Sequence, residues 1–158
     1  MTGNGKPEER CADKTMKIRH FDELTNREVY EILKARMDVF MIGQNIHVLD
    51  MDDEDYTALH LFETDESGCV TAYLRLYEEE NAPDTLHFGR VLAVPQRCGR
   101  GRHLMEEAER FARQKGKTRM VCSAQLRSAG FYEKCGYHRC SEEYEEAGIP
   151  HVRMEKEL

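Results

Sequence analysis

One stretch concentrates residues whose types and order could do chemistry. It opens with an apolar run, Arg90-Val91-Leu92-Ala93-Val94, and continues into Gln96-Arg97-Cys98-Gly99-Arg100-Gly101-Arg102. A strand that feeds a bare, positively charged loop at the start of a helix is a design for binding phosphate. The glycines let backbone N–H groups come close to an anion, and the helix start adds partial positive charge. Arg97, Arg100 and Arg102 add full charges, and a guanidinium can hold phosphate through two parallel hydrogen bonds. The loop is neither of two better-known phosphate loops. It lacks the Gly-Lys-Ser/Thr end of a P-loop, and Gly99-x-Gly101 lacks the third glycine of a dinucleotide fingerprint. Farther on stands a second compact motif, Phe131-Tyr132-Glu133-Lys134-Cys135-Gly136-Tyr137.

Elements that could position these residues follow from periodicity. Met16–His20 reads as a short strand. Thr25 or Asn26 caps a helix in which Val29, Ile32, Leu33, Arg36 and Phe40 share one face, and Gly43 ends it. Residues 43–56 read as irregular and acidic. Strands are expected over 59–63, 69–77 and 86–94, with turns at 65–68 and 81–84. After the basic loop, Leu104, Ala108, Phe111 and Ala112 mark one face of a helix that stops before Gly116. A buried strand at 119–122, a short helix over 126–135 and strands at 137–141 and 151–155 complete the chain. Strands interleaved with helices predict one α/β domain with a central sheet flanked by helices. Residues 1–14 are polar and read as a flexible tail, leaving 15–158 as the domain.

Composition narrows the function classes. The chain has 158 residues, enough for one domain with a real core, and 40% hydrophobic and 34% charged residues describe a soluble globular protein. No apolar run approaches the ~20 residues of a membrane span, and the N-terminus lacks a signal-peptide block. A cytoplasmic protein without a membrane partner is expected. The net charge of −7 argues against nucleic acid as a partner and permits a cationic substrate. Two acidic runs, Asp50–Asp55 and Glu142–Glu146, read as solvated loops. Six cysteines without an export signal read as reduced thiols. Cys135-x-x-His138-x-Cys140 lacks the second Cys/His pair that a metal cluster usually brings, so no metal is assigned.

The two motifs, taken in order, resemble the GNAT N-acetyltransferases. The family loop, Gln/Arg-x-x-Gly-x-Gly/Ala, matches Gln96–Gly101, and the later motif, Phe-Tyr-x-Lys-x-Gly-Phe/Tyr, matches Phe131–Tyr137. Arg36–Phe40, Gln44-Asn45 and the tail Ala147–His151 resemble the ElaA-like branch, so the likeness covers nearly all of the chain beyond the first dozen residues. It implies a mainly antiparallel sheet, splayed after Arg90–Val94, with acetyl-CoA in the notch.

By resemblance, Leu92, Ala93 and Val94 offer backbone groups to pantetheine, and the backbone from Arg97 through Cys98, Gly99, Arg100 and Gly101 to Arg102 cradles the pyrophosphate. Phe131 packs against the cofactor, and Lys134 is solvent-facing or near phosphate. Tyr132 is the catalytic acid, because a phenol of pKa ~10 stays protonated at neutral pH and can meet a thiolate of pKa ~8.5. The sequence singles out no base: His87, on the strand entering the splay, is one candidate, with His60, Glu145 and His151 as others. Gln44 and Asn45 are acceptor-side candidates. The branch commonly has Glu where this chain has Gly43, which bears on acceptor choice, and the link from Val94 to the helix is short for the branch.

The expected activity is acetyl transfer from acetyl-CoA to the primary amine of a small molecule. A non-catalytic acyl-CoA sensor and a protein lysine or N-terminal acetyltransferase are the alternatives, and the resemblance allows a homodimer.

Overall fold

A computed structural model describes residues 16–158. The expected tail over residues 1–14 lies outside the described residues. Eight strands form one sheet: β1 Lys17–His20, β2 Leu59–Thr64, β3 Val70–Glu79, β4 Ala82–Ala93, β5 Arg119–Gln125, β6 His138–Arg139, β7 Tyr144–Glu146 and β8 Ile149–Glu157. Their order is β1-β2-β3-β4-β5-β8-β6, with β7 also on β8. Every pairing is antiparallel except β4 with β5. The helices are α1 Asn26–Arg36, α2 Arg100–Gln114 and α3 Ala129–Lys134. This is the mixed, mainly antiparallel sheet with flanking helices that the sequence implied.

Local chemistry sets the elements. Thr25 and Glu28 form a reciprocal capping box at the start of α1, at 3.1 and 2.9 Å. The helix does not stop at Arg36 but widens into π-type turns over Met37–Gly43. Asn81 takes a positive φ of 61°, which turns the chain tightly enough for β4 to start at Ala82. The expected turn at 81–84 is therefore shorter and the strand longer than periodicity suggested.

Alternation along the strands builds two cores. Leu61, Leu74, Leu76, Leu86 and Phe88 pack with Leu104, Met105, Ala108 and Ala112 of α2. Phe62, Val70, Tyr73 and Leu92 pack with Ile32 of α1. On β4 the even-numbered residues change sides between Phe88 and Leu92, and a β-bulge is the reason. Gly89 pairs with Arg75 and Leu92 with Tyr73, so Arg90 and Val91 together oppose Leu74. Arg90 sits at φ 56°. One inserted residue reverses the facing of everything after it and bends the strand. The bend lies where β4 leaves β5.

The other acidic run departs from expectation. Residues 144–146 form β7, an exposed strand paired with β8, rather than a loop. Alternation of Tyr144, Glu145 and Glu146 is too short and too polar to register as a strand in sequence.

Candidate active site

The parallel pairing of β4 and β5 covers only Thr85, Leu86 and His87 against Arg119, Met120 and Val121. Beyond it the strands separate. A cleft of about 360 Å³ opens there, between Phe88–Val91 on one wall and Cys122–Gln125 on the other. Val94 N–H donates to the Thr71 carbonyl at 2.8 Å, so its backbone faces β3. Leu92, two residues earlier and paired with Tyr73, faces the same way. Strand alternation turns the backbone of Val91 and Ala93 toward the gap. Of the three expected backbone ligands only Ala93 is thus oriented. Leu92 is buried and Val94 is occupied, since its carbonyl also accepts from Arg100.

The basic loop leads into α2 with Gly99 at its N-cap, φ 78°, and no side chain capping the helix. First-turn N–H groups have no carbonyl within the helix to bond, and they carry the helix's partial positive charge. A Cβ built on Gly99 would meet nothing within 4 Å, so the loop is open there. A Cβ on Gly101 would lie 3.3 Å from Phe131 and 3.7 Å from Ala93, so this glycine seats α2 closely against α3 and β4. These features fit a diphosphate. Arg97 and Arg102 are exposed, the latter paired with Glu106 at 3.1 Å. Arg100 differs from expectation: its side chain turns inward to Val94 and, at 3.6 Å, to Glu63. Only its backbone remains at the helix start. Cys98 is exposed, its thiol directed to the Pro95 carbonyl at 3.1 Å. Lys134 is exposed on α3.

Tyr132 projects from α3 into the core edge of the cleft, with its ring against Phe88, Phe131 and Tyr137. Burial holds its pKa well above that of an ordinary phenol, so it carries its proton throughout the physiological range. Phe131, half-buried, touches both Tyr132 and the Gly101 turn.

The histidines separate by environment. His60 is buried, with Nε2 on the Asp55 carbonyl at 2.9 Å and Nδ1 on the Tyr73 hydroxyl at 2.8 Å. Both nitrogens are used and the ring does not line the cleft, so it is not a base there. His87 does line it. Its Nδ1 meets Glu79 Oε2 at 2.8 Å, and its ring stacks on Tyr77 at 4.7 Å. Burial lowers the pKa of His87, while Glu79 works against that shift. Glu79 in turn accepts from Arg153 at 2.8 Å. His151 also lines the cleft, with Nδ1 on the Ile149 carbonyl at 2.8 Å and Nε2 3.3 Å from Glu146. Glu145 is exposed and outside the lining.

The acidic run Asp50–Asp55 is not a solvated loop. Arg36, fully buried, holds Asp50 at 2.8 Å and Asp55 at 2.7 Å. Arg75 reaches Asp52 at 2.5 Å and Asp55 at 3.1 Å, and Arg90 at the bulge reaches Asp50 at 2.8 Å. The guanidinium of Arg75 pulls the Asp52 carboxyl down to about 2. Burial alone would raise Asp55, yet Arg36 and Arg75 together leave it below its usual range. One signal was available in sequence: Arg36 falls on the apolar face of its helix, where a cation must bring its own anion. On the same side, Gln44 lines the cleft and accepts from Gln125 Nε2 at 3.0 Å. Asn45 turns away, exposed at φ 54°, outside the lining.

Among the described residues no three His, Cys, Asp or Glu side chains group closely enough to hold a metal ion, and no helix is long and apolar enough to cross a membrane. All five described cysteines are free thiols.

Comparison with known proteins settles the lineage. The family model for the acetyltransferase (GNAT) domain matches residues 22–158. The chain belongs to the GNAT acetyltransferase family. Protein ElaA of Escherichia coli is 30% identical over 146 residues, covering 88% of this chain and 94% of that one. A UPF0039 protein of Schizosaccharomyces pombe is 34% identical over 145 residues, covering 89% and 95%. Among solved structures, an acyl-CoA N-acyltransferase from Pseudomonas aeruginosa superposes with a TM-score of 0.81 at 30% identity, over 90% of this chain and 99% of that one. E. coli ElaA gives the same TM-score at 25% identity and the same coverage. This GNAT protein is thus an ElaA-like, acetyl-CoA-dependent N-acetyltransferase.

Proposed function

We propose that this GNAT enzyme transfers acetyl from acetyl-CoA directly to the primary amine of a small molecule. The observation that carries the reading is that Tyr132 and His87 line one cleft at the splay, one always protonated and the other favoured neutral by burial. The uncapped start of α2 and the open Gly99 hold the diphosphate, and Ala93 offers its backbone to the extended pantetheine.

An alkylammonium of pKa ~10.4 must lose a proton before it can attack, at a cost of roughly 4–5 kcal/mol at pH 7. His87 Nε2 receives that proton. The neutral amine attacks the thioester carbonyl, and the oxygen gains charge beside the backbone N–H groups of the bulged strand, placed as an oxyanion donor would be. As the carbon–sulfur bond breaks, Tyr132 donates its proton to the sulfur and recovers one through solvent from the His87 imidazolium. The link between Gln44 and Gln125 joins the segment after α1 to β5 across the cleft, which favours a small acceptor over a peptide.

The test begins with calorimetric titration of the purified protein by acetyl-CoA, with NAD and ATP as controls, followed by a screen of small amines for CoA release. Selective binding and amine-dependent release are expected. Binding without release from any amine would support a sensor instead, and acetylated lysines or N-termini in a lysate given labelled acetyl-CoA would support a protein acetyltransferase. Absence of binding would overturn the diphosphate assignment of the α2 start.

A further inference from the structure

We propose that Glu79 is a positioning residue that fixes the tautomer of His87, holding Nδ1 protonated so that Nε2 faces the cleft as a lone-pair acceptor. The inference rests on the reading of His87 as the base. A carboxylate can only accept, so the 2.8 Å contact from Glu79 Oε2 places the proton on Nδ1, and a neutral imidazole then has its lone pair on Nε2. No hydrogen bond or ion pair among the described residues uses Nε2 of His87.

Three side chains on two strands enforce this arrangement. Tyr77 and Glu79 both come from the end of β3. Tyr77 is the cross-strand partner of His87 and stacks on it with planes 13° apart, which fixes the ring plane. Glu79 then selects the nitrogen. Arg153 on β8 anchors Glu79 at 2.8 Å and prevents it from swinging into solvent. The charged and titratable groups facing His87 are Glu79 and Tyr77 from β3, Arg153 from β8 and Glu54 from the 50–55 segment. Glu79 alone among them contacts a ring nitrogen. When Nε2 takes the amine's proton, the imidazolium forms against a carboxylate already in place, with no rearrangement of solvent. The second carboxylate–histidine pair of the cleft, Glu146 with His151, does not have this form. There Nδ1 is engaged by a backbone carbonyl and Nε2 faces the carboxylate at 3.3 Å.

The experiment is long-range proton–nitrogen correlation on protein labelled with 15N at histidine, assigned by comparison with His87→Gln. It needs no acceptor, so it stands whether or not an acceptor amine is found. Wild-type His87 is expected as the Nδ1–H tautomer above its titration midpoint. Glu79→Ala should release a mixture of tautomers. Glu79→Gln keeps only one acceptor oxygen, which Arg153 holds, so its amide NH2 faces Nδ1 and should shift the ring toward the Nε2–H tautomer, while the midpoint moves to lower pH. In turnover with an amine found by the screen, His87→Gln should lose about 10²-fold in kcat. Glu79→Gln should shift the acid limb of the kcat/KM profile down in pH without changing KM for acetyl-CoA. A purely packing role for Glu79 would lower the folded fraction and leave midpoint and limb in place. An Nε2–H tautomer in the wild type, or an unmoved midpoint in Glu79→Gln, overturns the proposal.

Discussion

At the scale of single residues, the two candidate catalytic side chains are distinguished by what burial does to each. Burial opposes tyrosinate at Tyr132 and imidazolium at His87, so the same desolvation keeps an acid loaded and a base empty. On the proposed mechanism, Tyr132 gives up its proton only to a thiolate forming in the same desolvated cleft, whose affinity for a proton is raised by the same desolvation. Tyr132→Phe should therefore lower kcat by about 10²-fold while leaving the calorimetric affinity for acetyl-CoA unchanged. Unchanged turnover would remove Tyr132 from the chemistry. The Phe131–Tyr132 pair was legible in sequence because motif and spacing are local. The environment of His87 was not, since Glu79 and Arg153 reach it from other strands. Gln44 and Asn45, adjacent in sequence, illustrate the same limit. A left-handed residue sends one to the cleft wall and the other to solvent.

At the scale of elements, the site is produced by two backbone devices. The β-bulge at Arg90 bends β4 where it leaves β5, and of Gly99 and Gly101 it is the latter that seats the start of α2 over the parted strand. The strand, the loop and the helix were each readable from periodicity and composition. The bulge was not, because a reversal of facing within one strand shows only once the partner's register is known. Gly101 is the more sensitive of the two glycines. In Gly101→Ala the new methyl meets Phe131 at 3.3 Å, and Phe131 must give way or α2 must lift. Such crowding costs about 1–3 kcal/mol, and the displaced element carries the first-turn N–H groups. The variant is expected to bind acetyl-CoA at least tenfold more weakly while retaining the far-ultraviolet circular dichroism of the wild type. Wild-type affinity would mean that the diphosphate does not depend on the seating of α2.

At the scale of the whole molecule, the Asp50–Asp55 segment acts as a tie between α1, β3 and the bulge. Arg36, Arg75 and Arg90 face Asp50, Asp52, Glu54 and Asp55. The segment forms one wall of the cleft and anchors it to the core behind. The sequence showed acidic residues in a row but not the cations that would meet them, which arrive from positions far apart in the chain. The tie makes stability depend on acid in a defined direction. Asp52 is held near about 2 and Asp55 is also depressed. Depressed carboxyls add stability that is complete above the unfolded value of about 4 and is lost as pH falls toward the folded value. Urea midpoints should therefore fall steeply between about pH 4 and 2, below a shallower fall that begins near the unfolded histidine value of about 6.5 because burial makes His60 and His87 resist protonation. Asp52 is partly exposed and screened, so the buried Arg36–Asp55 contact carries most of the effect. Arg36→Ala leaves Asp50 and Asp55 short of a buried partner and should cost about 3–5 kcal/mol at pH 7. It also removes one of the cations that depress Asp55, so the variant's further loss below about pH 4 should be shallower than that of the wild type. An equal acid slope in both proteins would show that carboxylates elsewhere, not Asp50 and Asp55, set the acid limit of the fold.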